Sequence, residues 1–317
     1  MPLIRLFPAE PRIPFLAVRY WFLAIAMVLM TGSIATFFVQ GLNFGVDFRG
    51  GILMEVRTEA PADLEDMRSR LGALDIGPVT LQEFGEPTDV LINLQRQEGA
   101  EDAQMEAINA VRAELGDEVA EYRRTEFVGP RVGEELRRAG MMATLLSLLG
   151  IGLYIWFRFE WHFAMASLLA LVHDVIVTVG FFSFTQIEFN LTTLAAVLTI
   201  AGYSINDTVV VFDRVRETMR KYKKKSVPEM LNEALNQTLS RTILTSVTTL
   251  IALGSLYAFG GEVIRGFTAG LIWGVVIGTF STIGIAVPLL YYLGLKRATM
   301  QTAGESGKEQ AGNPSAG

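Results

Sequence analysis

Cysteine is absent from the 317 residues. That excludes a disulfide scaffold, a thiolate metal site and a thiol nucleophile. Histidine is almost absent too. Only His162 and His173 occur, so no metal centre is assigned. There is no P-loop, no H-E-x-x-H pair and no Ser-His-Asp spacing, so no catalytic residue is assigned and no enzyme chemistry is expected. Charge is scarce: 19% of residues are Asp, Glu, Lys or Arg, against about 25% in ordinary soluble domains. Half of the residues are hydrophobic and the mean hydropathy is +0.36. This content excludes intrinsic disorder and points to an integral membrane protein.

Lysine is missing from residues 41–138, where every cation is arginine. That block carries 21 acidic and 11 basic side chains, while the rest carries 12 and 16. An acidic polar block is therefore inserted in a mildly basic apolar body. Its charge repels phosphate, so nucleic acid is not an expected partner.

Six apolar stretches are long enough to span about 30 Å of hydrocarbon. They run over residues 20–40, 139–157, 161–184, 190–213, 242–260 and 266–294. The first is longer than a signal-peptide core and no A-x-A site follows it, so it reads as a retained helix. Lys and Arg gather on one side. They include Arg5, Arg12 and Arg19, then Arg158, then the cluster in 214–225, then Lys296, Arg297 and Lys308. The opposite short loops hold only Arg265. Both termini are therefore expected in the cytoplasm (1–19 and the tail 298–317), with 41–138 outside. Residues 214–241 are expected to form a cytoplasmic loop. The tail, rich in Gly, Ser, Ala, Gln and Glu, is expected to be disordered.

The outer block reads as β-α-β-β-α-β. Residues 51–58 alternate as a strand, 61–72 start a helix at Pro61, 79–85 and 89–95 form two strands, 101–115 form a helix, and 119–128 close as a strand. Met105, Ala107, Ile108, Val111 and Leu115 are expected to face inward. This order is the ferredoxin-like α+β pattern.

Ionisable groups inside the apolar spans carry the functional signal, because each costs at least ~2.5–3.5 kcal/mol at mid-helix. Asp207 lies about 9 Å inside the fourth span, with Tyr203 one turn earlier and Asn206 adjacent. A carboxylate at that depth is a candidate proton carrier. Arg241 opens the fifth span, and Thr245 and Thr249 follow at helical spacing. A guanidinium-headed hydroxyl stripe is thus expected to face Asp207. The bland alternative makes Arg241 an interfacial anchor. His173 and Asp174 lie mid-span and are expected at a helix interface, either extending the relay or forming a structural pair. Asp213 reads as a helix-end charge. Gly266, Gly270, Gly274 and Gly278 form a small-residue ridge suited to close helix packing.

LNFGVDFRGG (42–51), HDV (173–175), GYSINDTVVVFDRVRE (202–217) and SRTILTSVTT (240–249) together resemble the SecD/SecF family of the RND superfamily. The similarity covers nearly all of residues 15–297, on the SecF side of the family. It implies six RND-type transmembrane helices in the bacterial inner membrane, with a periplasmic domain between the first two. It also implies a SecD partner and use of the proton-motive force to assist late protein export through the SecY/SecE/SecG channel. SecA and a YajC-type accessory would be indirect partners, and an unfolded polypeptide the cargo. The proton relay it implies falls on Asp207, Arg241 and Thr245. H⁺ is the expected coupling ion, with Na⁺ the alternative and no cofactor. Gly45, Asp47, Gly50 and Gly51 match the family signature at the periplasmic surface. In physical terms the glycines permit tight turns, and Asp47 and Arg49 are expected to pair. Two other readings stand beside this one: a proton-coupled exporter of small molecules or lipids, and a passive scaffold.

Overall fold

The computed structural model describes residues 12–97, 101–222 and 224–294. Arg5, Lys223, Lys296, Arg297, Lys308 and the tail 298–317 lie outside the described residues. Helix α1 (Arg19–Gln40) is followed by the short α2 (Val46–Arg49) and then by the polar domain. That domain comprises β1 (Gly51–Thr58), α3 (Leu64–Gly72), β2 (Val79–Phe84), β3 (Glu86–Gln95), α4 (Glu101–Leu115) and β4 (Val119–Val128). Next come α5 (Pro130–Arg158), α6 (Trp161–Thr185), α7 (Leu191–Lys221) and α8 (Val227–Phe259). The last span is α9 (Glu262–Ser281), which runs through a wide π turn (Thr282–Ala286) into α10 (Val287–Tyr292). Among the described residues, six helices are long and apolar enough to cross a membrane.

The sheet has the order β2-β3-β1-β4 with antiparallel neighbours. This is the split β-α-β arrangement expected. The alternation in β1 buries Ile52, Met54 and Val56. They sit opposite Leu94, Ile92 and Val90 on β3, and α3 and α4 cover that face with Met67, Leu71, Val111 and Leu115. On the other face Arg57 grips Asp89 with two hydrogen bonds, at 2.7 and 3.0 Å, and Arg123 adds a third at 2.9 Å.

Four expectations are corrected. Helix α3 begins at Leu64 rather than Pro61, because the Asp63 carboxylate accepts from the backbone N–H groups of Glu65 and Asp66 and sets the cap there. Met105 is exposed. Gln104 takes its inward place, accepting from the Gln97 N–H at 3.0 Å and donating to the Gln97 carbonyl at 2.7 Å. Helix α5 starts well before residue 139. The supposed loop 214–241 is mostly helix. Ser226 caps α8 reciprocally with Glu229, and the first turns of α8 bury Met230, Leu231, Ala234 and Leu235. Hydropathy finds the apolar middle of a span and misses amphipathic ends that lie outside hydrocarbon.

In the bundle, α6 and α9 are the most enclosed spans. The glycine ridge of α9 lies against α7. Gly266 meets Thr193, Gly270 meets Ala196, Gly274 meets Ile200 and Gly278 meets Ser204. Each neighbour is one turn from the next, so backbone abuts side chain along the whole crossing. A methyl at Gly274 would collide with Ile200. Gly274→Ala should therefore lower stability in detergent by about 1–3 kcal/mol. Ile200→Ala should restore part of the loss. Gly254→Ala, with open space around it, should change nothing. Thermal unfolding reads all three, and an unaffected Gly274→Ala protein would refute the close contact.

Candidate functional site

Asp207 projects from α7 toward α8. Its Oδ1 accepts a hydrogen bond from Thr242 Oγ1 at 2.9 Å, while Oδ2 is enclosed with no hydrogen-bond partner among the described residues. One turn earlier, Tyr203 OH reaches Thr249 Oγ1 at 3.5 Å. Asn206 faces outward. The expected stripe is therefore displaced by one residue. Thr242 holds the carboxylate, and Thr245 instead donates to the carbonyls of Arg241 and Thr242 in its own helix. Arg241 is exposed and forms no ion pair within 4.0 Å among the described residues, although its charge acts on Asp207. The cause is the phase of α8. Its buried face runs through Leu231, Leu235, Thr238, Thr242 and Ser246, and a shift of one residue turns a side chain by about 100°.

A second carboxylate lies behind α7. Asp174 on α6 is wholly buried. Its Oδ1 meets His173 Nδ1 at 3.0 Å, and its Oδ2 accepts from Ser204 of α7 and Ser281 of α9, each at 2.6 Å. The pair thus sits at a helix interface. No hydrogen bond joins it to Asp207 among the described residues. Two hydroxyl pairs continue the polar layer: Thr208 with Thr282 at 2.9 Å and Ser246 with Thr279 at 2.7 Å. Thr282 opens the π turn, which Pro288 accommodates because it has no N–H to give Gly284. Asp213 lies at the surface 3.5 Å from Arg158, as a helix-end charge should. Sequence reasoning missed Thr242, Ser204, Ser281, Thr208 and Thr282. Hydroxyls are common in spans and satisfy their own helix, so nothing local marks them.

The 41–51 segment docks on the α6–α7 turn. Phe189 N–H donates to the Asn43 carbonyl at 2.7 Å, and Gly45 N–H to the Phe189 carbonyl at 3.0 Å. Phe48 stacks on Phe189 with centroids 5.9 Å apart. Asp47 does not pair with Arg49. Its Oδ2 accepts from the Leu191 N–H, the first residue of α7, at 2.9 Å. An anion placed there also meets the positive end of the helix dipole. Gly50 has φ +75, a left-handed value that suits glycine. At Gly45, any side chain would strike the Glu188 carboxylate.

Residues 36–62 match the SecD/SecF GG motif, and residues 107–296 match the protein export membrane protein SecD/SecF C-terminal family. The protein translocase subunit SecF of Rickettsia felis is 46% identical over 290 residues, covering 90% of this chain and 94% of that one. The chain belongs to the SecD/SecF family. Another family member, the protein translocase subunit SecF of Magnetococcus marinus, is 46% identical over 270 residues, covering 84% of this chain and 86% of its own. The crystal structure of SecDF, a translocon-associated membrane protein from Thermus thermophilus, has a TM-score of 0.78 at 33% identity and covers 92% of this chain. SecDF in a super-membrane-facing form has a TM-score of 0.70, again at 33% identity, and covers 96%. The chain spans 40% and 41% of those longer SecDF chains.

Glu188 lies in the α6–α7 turn, outside the spans. Burial holds its carboxyl above the usual glutamate range, and the Asp47 carboxylate adds to this. The folded protein therefore holds this proton more tightly than the unfolded chain does. Its stability contribution is best at low pH and falls as pH rises from the ordinary glutamate value through the raised one. Glu188→Gln should flatten this slope and raise the unfolding temperature at neutral pH. Melts across a pH series check it, and an unchanged slope would contradict the assignment.

Proposed function

We propose that the chain is a SecF-type, non-enzymatic subunit of a protein-export accessory complex, which works with a SecD-type partner beside the SecY/SecE/SecG channel. The membership of residues 107–296 and 36–62 in the SecD/SecF family carries this reading. An exporter of small molecules or lipids is not favoured by these relatives. The Lys and Arg distribution supports an inner-membrane orientation with both termini cytoplasmic and the polar domain periplasmic.

The proposed motor element is Asp207. Its Oδ2 is unpartnered, so it can take a proton without first breaking the Thr242 contact. One charge crossing 100 mV releases about 2.3 kcal/mol, comparable with one or two hydrogen bonds. Protonation weakens the hold of Asp207 on the Thr242 hydroxyl and on the charge of Arg241, which frees α7 to shift against α8. Leu191 lies about 24 Å along α7 from Asp207 and is tied to Asp47, so the shift reaches the polar domain. Tyr203 and Thr249, one turn away, would support the relay, and Asp174 with its serines would hold α7 from behind.

Asp207→Asn should abolish export that depends on the proton-motive force in a strain lacking the native copy, with the protein still assembled. Thr242→Val should slow export less severely, and Arg241→Ala should do likewise. Normal export with Asp207→Asn would end the proton-carrier reading. Loss of protein level in step with export would favour a scaffold. Replacing the proton gradient by a sodium gradient distinguishes the coupling ion.

A further inference from the structure

Between α1 and α5, on the side of the bundle that carries the polar domain, runs a groove of ≈ 370 Å³. Its surface is almost wholly carbon, with Phe37 on α1, Met141, Leu145 and Leu148 on α5, and Val179 and Val197 at the back. Met141 and Leu145 are 61% and 52% exposed, so the groove opens sideways. Its α5 wall extends from Arg137 to Leu148 on one helical face. That is about 16 Å, the hydrocarbon depth of one leaflet, about 15 Å.

The upper end of the groove meets a polar cavity of ≈ 440 Å³. The two share Phe44, Phe48 and Arg137, and the polar one is also lined by Arg49, Arg96 and Glu134. Four other arginines of the domain are neutralised by carboxylates, and Arg112 lies over the Tyr122 ring. Arg57 and Arg123 hold Asp89, Arg70 holds Asp66, and Arg124 holds Glu126. Arg49, Arg96 and Arg137 are exposed and form no ion pair within 4.0 Å among the described residues. Three guanidiniums and one carboxylate leave an unanswered positive charge directly above an apolar slot one leaflet deep.

We propose that this composite cavity binds an anionic phospholipid, with one acyl chain in the α1–α5 groove and its phosphate against Arg49, Arg96 and Arg137. The two halves demand an amphiphile. A soluble anion leaves the apolar slot unfilled, and a purely apolar partner helix leaves the arginines unanswered. The carboxylate of Glu134 lies among them, so the net charge favours an anionic headgroup over a zwitterionic one without excluding the latter by sterics. Phe48 lines both cavities and also stacks on Phe189, so the bound lipid touches the segment that holds the start of α7.

The test uses the full chain in nanodiscs of equal parts phosphatidylglycerol and phosphatidylcholine, followed by native mass spectrometry. The wild-type protein should retain phosphatidylglycerol in preference. Arg96→Ala and Arg137→Ala should each reduce that preference about fivefold. Leu145→Trp, which fills the slot, should lower retention of both lipids. Phe157→Trp, on the exposed far end of α5, should alter neither. A photo-crosslinking residue at Met141 in cell membranes should yield an adduct of phospholipid mass. Equal retention of the two lipids by the wild-type protein, indifference to the arginine and tryptophan substitutions, or a polypeptide adduct at Met141 would overturn the proposal.

Discussion

A carboxylate that cannot reach water must be met by donors, and the helix packing of this protein is arranged around that demand. Asp174 is met fully, by a histidine and two serines drawn from three helices. Asp207 is met by half, with one oxygen on Thr242 and the other unbonded. The two acids therefore differ in kind. The first is a fixed joint between α6, α7 and α9, and removing any of its partners would leave a buried polar group short of a hydrogen bond. The second keeps an open acceptor at the α7–α8 interface. Helix α7 lies between them and is the element whose position both acids sense.

The same helix is held at its first residue from far away in sequence. Asp47 and Leu191 are separated by 144 positions, yet their bond, the Phe48–Phe189 stack and the short backbone pairing at Asn43 and Phe189 join the polar domain to the bundle. The glycines of this segment serve both the joint and the entry to the domain. Gly45 leaves room for Glu188 and Asn190 at the joint, and Gly51 lets the chain lie against the Leu94 carbonyl of β3 as it enters the domain. A chain of stiff connections thus runs from the domain through α2 to α7 and on to Asp207.

Much of this was legible in the amino-acid order. Strands β1 and β4 and helix α4 have the boundaries their periodicity implied, because alternation and a 3.6-residue stripe are strong local signals. Asp207, His173 and Asp174 stood out because charge inside an apolar run is costly. The partners did not stand out. Thr242 was overlooked in favour of Thr245, since the phase of α8 is fixed by an amphipathic turn that begins at Val227, outside the apolar stretch. The Asp47 cap could not be read at all. It depends on a tertiary contact, whereas the local expectation paired Asp47 with its neighbour Arg49. Met105 failed for a similar reason, because a glutamine that satisfies both backbone groups of Gln97 outcompeted an apolar side chain for the inward position.

The bare flank of α9 also governs how the membrane body can deform. With no side chain of its own at Gly274 and Gly278, its backbone lies directly on Ile200 and Ser204, so parting the two helices there strips packed surface from both. Because Asp174 binds Ser204 of α7 and Ser281 of α9 at once, a stroke of α7 that keeps this joint carries α9 with it as one body.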